Sequence, residues 1–225
     1  MNNFNNITLP EGFDPEERGR RAEENFRKGY NCCQSVLLAF ADILETNSLA
    51  TKEQILSLGS GFGGGMGRLR EVCGSFSAAV LMSGFILPAS NPGNMDERRD
   101  NYALVQYFAS SFRQMNGGSI VCRELLGLSK KPGTSKKPGS SESPQGSSSG
   151  TPETFASGAL QGSSSGSPET FSSGALSNVQ PSMESPMPSA RTEEYYRKRP
   201  CGAIIASSAL MIARKLQELQ STLSD

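Results

Sequence analysis

The sequence contains no histidine among its 225 residues. That absence removes the commonest general base, the commonest zinc and haem ligand, and every catalytic dyad or triad built on imidazole. A conventional hydrolase is therefore not expected. Net charge is lacking as well. Lys+Arg and Asp+Glu both total 22, and so balanced a chain carries neither the basic footprint of a nucleic-acid binder nor an acidic tail. The longest apolar run, Phe76 to Leu87, is interrupted by Ser77, Ser83 and Gly84 and falls short of the roughly 20 residues that a bilayer span needs. Met1 to Arg21 has no apolar core that would serve as a signal peptide. The expectation is a cytoplasmic chain with neither a membrane nor a nucleic-acid partner.

The five cysteines form no CxxC pair and nothing like the clustered ferredoxin pattern. An odd number is a poor disulfide framework in a reducing compartment, and such residues are more naturally thiols, ligands or redox groups. With 24 Gly, 13 Pro and an apolar share of 36%, part of the chain is expected to stay unpacked, so the core must come from the remainder.

The patterning predicts an all-α protein, a compact multi-helix domain with a Gly-rich loop and a long disordered insertion before the C-terminal helix. Asp14 to about Lys28 is charged and helix-prone, with Asp14 as cap and Pro15 in the first turn. Cys32 to about Leu44 carries Val36, Leu37, Phe40, Ile43 and Leu44 at helical spacing and predicts one buried helix. Thr51 caps a short helix through Leu58, ahead of the glycine-rich Gly59 to Gly67. Cys73 opens an apolar segment of small residues, and Asp96 to about Met115 is amphipathic, with Tyr102, Val105, Phe108, Ala109 and Phe112 on one face.

Residues 10–128 thus form the cysteine-containing core. Ser, Gly, Pro, Thr and Lys dominate 129–190, where two 16-residue units repeat, Gln145 to Leu160 and Gln161 to Leu176. Units so polar cannot build a solenoid, and a tolerated flexible insertion is expected. Residues 191–225 return to helix, with Ile204, Ile205, Ala209, Met211, Ile212 and Leu216 on an apolar side that completes the same domain.

Cys32, Cys73, Cys122 and Cys201 each follow a break in the chain and each begin a helical segment. A helix N-terminus presents free amides and about half a positive charge, which favours a thiolate and lowers its pKa. Arg70, Arg123 and Arg199 each lie within three residues of a cysteine and add to this. Four such ends meeting at one place would suit an anionic centre: thiolates holding an iron-sulfur cluster or zinc, or a redox dithiol. Inert packing accounts for single buried cysteines equally well, and Cys33 is read as packing.

Gly59, Gly61 and Gly64 match GxGxxG, but without a preceding strand or an acidic residue about twenty positions on they are no dinucleotide fingerprint. Nor does Lys-Ser or Lys-Thr follow, as a phosphate loop requires. The glycines instead let the backbone pass close to the cysteine pocket, through Gly63, Gly64 and Gly65, with Phe62 and Met66 as anchors; plain turn-making is the alternative. Arg68 points into that pocket or faces solvent. Glu71, Arg98, Arg99 and Glu124 read as solvated helix charges. Tyr195 and Tyr196 beside Arg197, Lys198 and Arg199 read as helix packing and not as a stacking platform for bases.

Five segments then act together: GYNCCQSVLLAF from Gly29, SGFGGGMGR from Ser60, VCGSFSAAVLMSG from Val72, SIVCRELLG from Ser119 and RPCGAIIASSA from Arg199. As an ordered set they resemble the C-GCAxxG-C-C family of redox-active proteins. The resemblance maps the shared cysteines onto Cys32, Cys73, Cys122 and Cys201 and makes Cys33 a replacement for alanine. Ser75 and Ala78 depart from the family's CGAxxG, which leaves the cysteine count intact and bears on the packing of that helix. Some relatives are joined to haem-binding cytochrome segments and hold non-haem iron. This chain has no CxxCH and no histidine, so covalent haem c is excluded.

The leading expectation is electron transfer through an iron-sulfur cluster held by these four cysteines, with an unknown redox partner. The alternatives are a metal-free thiol-disulfide protein or sensor using a subset of them, and a helical protein stapled by structural zinc. Small residues along 77–83 and 203–213 allow close helix pairing within or between chains, so a homodimer is an open expectation.

Overall fold

Each helix begins where its capping chemistry dictates, and that sets where the cysteines sit. The computed structural model describes residues 7–128 and 184–224, which belong to one compact unit; the duplicated units at 145–176 and most of the expected insertion lie outside the described residues. Asp14 accepts the Glu16 N–H at 2.9 Å and starts α1 (Pro15–Arg27). Asn31 and Gln34 form a reciprocal capping box that starts α2 (Cys32–Leu38). Thr51 and Gln54 do the same for α4 (Lys52–Gly59). A single 3₁₀ turn, Ser60–Phe62, leads into the glycine loop.

After the loop come α5 (Gly74–Ile86), the Asn94-capped α6 (Met95–Met115) and the short α7 (Cys122–Leu125). Thr192 caps α8 (Glu193–Lys198), and α9 (Cys201–Ser224) ends the described chain. The described residues are helical without strands, apart from an isolated antiparallel bridge between Val72 and Val121. The all-α expectation is met.

Two elements differ from the periodicity. The run Cys32 to Leu44 is not one helix: it breaks at Ala39 and Phe40, and α3 (Ala41–Thr46) follows. The Ala39 carbonyl at the break accepts Arg18 Nη1 at 2.8 Å, and Arg18, 3% exposed, also pairs with Asp42 at 2.6 Å. A buried guanidinium thus takes the carbonyl at the end of α2. On α6 the buried line is Leu104, Phe108 and Phe112 at four-residue spacing, which leaves Tyr102 58% exposed and not on the core face.

α9 is the organising helix. Its buried Ile204, Ile205, Ala209, Met211, Ile212 and Leu216 pack against α1, α2, α5 and α6. α5 lies between α2, α6 and α9, with Ala78, Ala79 and Ser75 fully or almost fully buried. The small residues of α5 and α9 therefore serve packing within this chain.

Candidate functional site

The N-terminal ends of α2, α5, α7 and α9 meet around one cavity of about 540 Å³. Cys32, Cys122 and Cys201 are the first residues of their helices, and Cys73 is the N-cap of α5. All four line the cavity; Cys33 does not. Cys33 is completely buried in the core, which agrees with its reading as packing.

The loop and the bridge align these ends. Asn31 Nδ2 donates to the Gly59 and Ser60 carbonyls at 3.0 and 3.1 Å, tying the start of α2 to the loop. Beside the Val72–Val121 bridge, Cys73 N donates to Ile120 O at 2.8 Å and Cys122 N to Glu71 O at 2.6 Å. Cys73 and Cys122 thereby leave the same bridge side by side. Gly74 is required next to Cys73, because a Cβ there would collide with Cys32 Sγ and lie 2.6 Å from the Phe62 carbonyl oxygen.

Of the loop residues singled out from sequence, Gly63, Gly64 and Arg68 line the cavity. Gly65 lies behind it: its φ is +76°, and a Cβ would come within 2.7 Å of the Cys122 Cβ. The loop therefore makes the close approach to a cysteine that distinguishes it from a plain turn. Met66, Arg68 and Arg70 also have positive φ, at 57°, 71° and 59°, a conformation uncommon outside glycine and concentrated at functional sites.

Electrostatically the cavity is a thiol cluster among guanidiniums. Arg68, Arg70, Arg191 and Arg199 all contribute to its wall. Glu184 pairs with Arg70 at 2.5 Å and with Arg68 at 3.4 Å, and the Arg70 hydrogen bond holds its carboxyl below the usual range. Arg68 Nε also donates to the Ser185 carbonyl at 2.7 Å. Residues 184–190, which composition assigns to the insertion, thus lie against the site, and Pro186, Pro188 and Ser189 line the cavity. Arg191 stacks over Phe26 and Tyr195, and Arg199 over Tyr195. Tyr195 is the packing partner of both arginines, and Tyr196 lies under Arg27. Tyr196 is edge-on to Phe26, and its hydroxyl donates to the Phe26 and Arg27 carbonyls.

At Cys73, Cys122 and Cys201 the helix starts do not lower the thiol pKa as expected. Burial pushes Cys73 up to about 12 and Cys201 up to about 11. Burial also raises Cys122, against the opposing hydrogen bond from Arg70. In free thiol form, desolvation outweighs the helix termini and the arginines. Among the described residues, no three Cys, Asp or Glu side chains stand close enough to hold one metal ion.

Two residues at the site carry no local signal in the sequence: Arg191 of the wall, and Glu184, which pairs with the wall arginines Arg68 and Arg70, both reach it from the far side of a long low-complexity stretch. Ser75 stands out in the sequence only as a departure from the family motif, and its place on the cavity wall is seen only in the fold.

Fold and site together define a helical protein with a cysteine-lined, arginine-walled cavity. The family model described as "Putative redox-active protein (C_GCAxxG_C_C)" matches residues 30–150, and the chain belongs to that family. The match takes in Cys32, Cys73 and Cys122, and Cys201 stands beyond it. No curated protein and no solved structure matches the chain. Among the described residues no helix is long and apolar enough to cross a membrane.

Proposed function

We propose that Cys32, Cys73, Cys122 and Cys201 hold an iron-sulfur cluster and that the protein is a cytoplasmic electron carrier serving a separate redox partner. The observation that carries this reading is that four thiols from four separate helix starts line one cavity whose wall also holds four arginines. Four thiolates are the usual ligand set of such clusters, and guanidiniums offset the charge that the thiolates bring. When bound, the cluster would supply one-electron chemistry. The chain's own part is to supply the thiolates, to keep Cys73 and Cys122 away from bulk water, and to surround them with cations.

A single zinc ion needs its ligands about 2.3 Å from one point, whereas a cluster spreads its thiolates over several irons. Among the described residues no three Cys, Asp or Glu side chains are grouped to hold a metal ion, so either metal requires the thiols to close in on it. A metal-free dithiol mechanism would need an activated thiolate, and burial raises Cys73, Cys122 and Cys201; a bound metal displaces those protons as it binds.

A serine scan under anaerobic conditions tests the reading. Cys→Ser at any of Cys32, Cys73, Cys122 or Cys201 should sharply lower bound iron and acid-labile sulfide, while Cys33→Ser should leave both unchanged relative to folded protein. Equal metal content across all five variants would refute it.

A further inference from the structure

The described residues leave three buried side-chain polar atoms without a hydrogen-bond partner: Arg70 Nε, Ser75 Oγ and Arg191 Nη1. All three residues line the cysteine cavity. Buried polar groups are nearly always paired, because leaving one unmade forfeits its interaction with water. Three orphans on one cavity wall indicate a common missing acceptor, since a guanidinium nitrogen can only donate and a serine hydroxyl can donate as well.

The remaining charges specify the acceptor. Arg68, Arg70, Arg191 and Arg199 reach the cavity wall, and the carboxylate paired with two of them, Glu184, keeps 41% of its side chain accessible. Arg191 uses Nη2 on the Tyr30 carbonyl at 3.4 Å and is stacked on Phe26 and Tyr195, so its position is held while Nη1 stays free. Arg70 is only 12% exposed, gives Nη2 to Glu184 and hydrogen-bonds the Cys122 thiol, with Nε left unmatched. Ser75 is 1% exposed, so its hydroxyl is reached only through the cavity it lines. Fixed guanidinium edges with free N–H groups are the recognition chemistry of carboxylates, phosphates and sulfur oxyanions. A cavity of about 540 Å³ falls within the range of small-molecule sites.

We infer that this wall is a binding site for a small oxyanion, held by Arg70, Arg191 and Ser75 beside the cysteines. The anion shares Arg70 with Glu184, which already shows a carboxylate accepted by the Arg68 and Arg70 pair. The inference rests on the unpartnered donors and the cavity, and does not depend on what the cysteines hold.

The test uses the full chain as purified, with iron measured in the same sample so that the cluster reading is scored separately. Sodium sulfate is titrated calorimetrically against sodium chloride at matched ionic strength. Sulfate should bind saturably and chloride should not. Ser75→Ala and Arg191→Gln should each weaken sulfate binding about tenfold, the loss expected for one hydrogen bond to a charged group. Ser75→Ala should melt no lower than the parent, because the hydroxyl it removes has no partner; this variant decides the matter should Arg191→Gln fail to fold. Sulfate heats no different from chloride, or undiminished sulfate affinity in Ser75→Ala, would overturn the inference.

Discussion

The sulfur of Cys32 lies directly over the backbone of Gly74, so close that any side chain at 74 would occupy the space of the sulfur. The two residues belong to different helices, α2 and α5, and the glycine lets one cysteine sit against the residue that follows another. Gly74→Ala is therefore expected to act as overpacking, costing about 1–3 kcal/mol. Urea unfolding would show a lower midpoint with unchanged slope. Because the clash is with Cys32 itself, metal content should fall in the same variant; a Gly74→Ala protein of parental stability and iron content would show that the contact is not needed.

Cys33 stands beside Cys32 in sequence but is fully buried in the core and does not line the cavity. Cys33→Ala should cost about 1 kcal/mol, in line with a small core truncation, and leave the optical spectrum and iron content of the folded protein as they were. Thermal melts with parallel metal analysis check both halves.

The buried Arg18 depends on Asp42 for charge neutralisation. Burial alone would raise the Asp42 carboxyl, but the hydrogen bond and charge of Arg18 outweigh it and leave the group below its ordinary value. A depressed folded pKa means that the stabilisation is complete above the unfolded value of about 3.9 and is lost as pH falls through the lower folded value. Acid titrations of stability should therefore show this loss below about pH 4 in the parent and lack that component in Asp42→Asn. At neutral pH Asp42→Asn should be about 2 kcal/mol less stable, because Arg18 keeps only the Ala39 carbonyl as a full partner.

Where the low-complexity stretch can be cut follows from Glu184. Replacing 130–182 by a short Gly-Ser linker keeps every described residue that lines the cavity. Its metal content should equal that of the full chain. Replacing 129–190 instead removes Glu184, Ser185 and Ser189, the partners of Arg68 and Arg70, and should lower the melting temperature. Identical melts for the two deletions would show that the 184–190 segment contributes nothing to the site.

The helical architecture was legible because caps and periodicity agree locally: Asp14, Asn31 and Thr51 start helices where their side chains allow it. So was the placing of four cysteines at helix starts. The break between α2 and α3 was not, because its cause is Arg18, 21 residues away from Ala39 in sequence. The face of α6 was misjudged at Tyr102, an aromatic that pattern assigns to the core and the packing leaves in water. The arginine wall is a tertiary assembly: Arg70, Arg191 and Arg199 come together only once α9 has docked, and composition gave 184–190 to the insertion. The sign of the thiol shifts also depended on burial, a quantity that spacing does not report.

The central claim is that the four cysteines act as one metal-bound redox centre. The most direct measurement is a visible absorption spectrum of protein purified without oxygen, with iron, sulfide and zinc determined on the same sample. The account predicts stoichiometric iron and sulfide with thiolate-to-iron absorption that bleaches on reduction and is lost in Cys32→Ser and Cys201→Ser. A colourless protein free of iron and sulfide, with five titratable thiols, would contradict it.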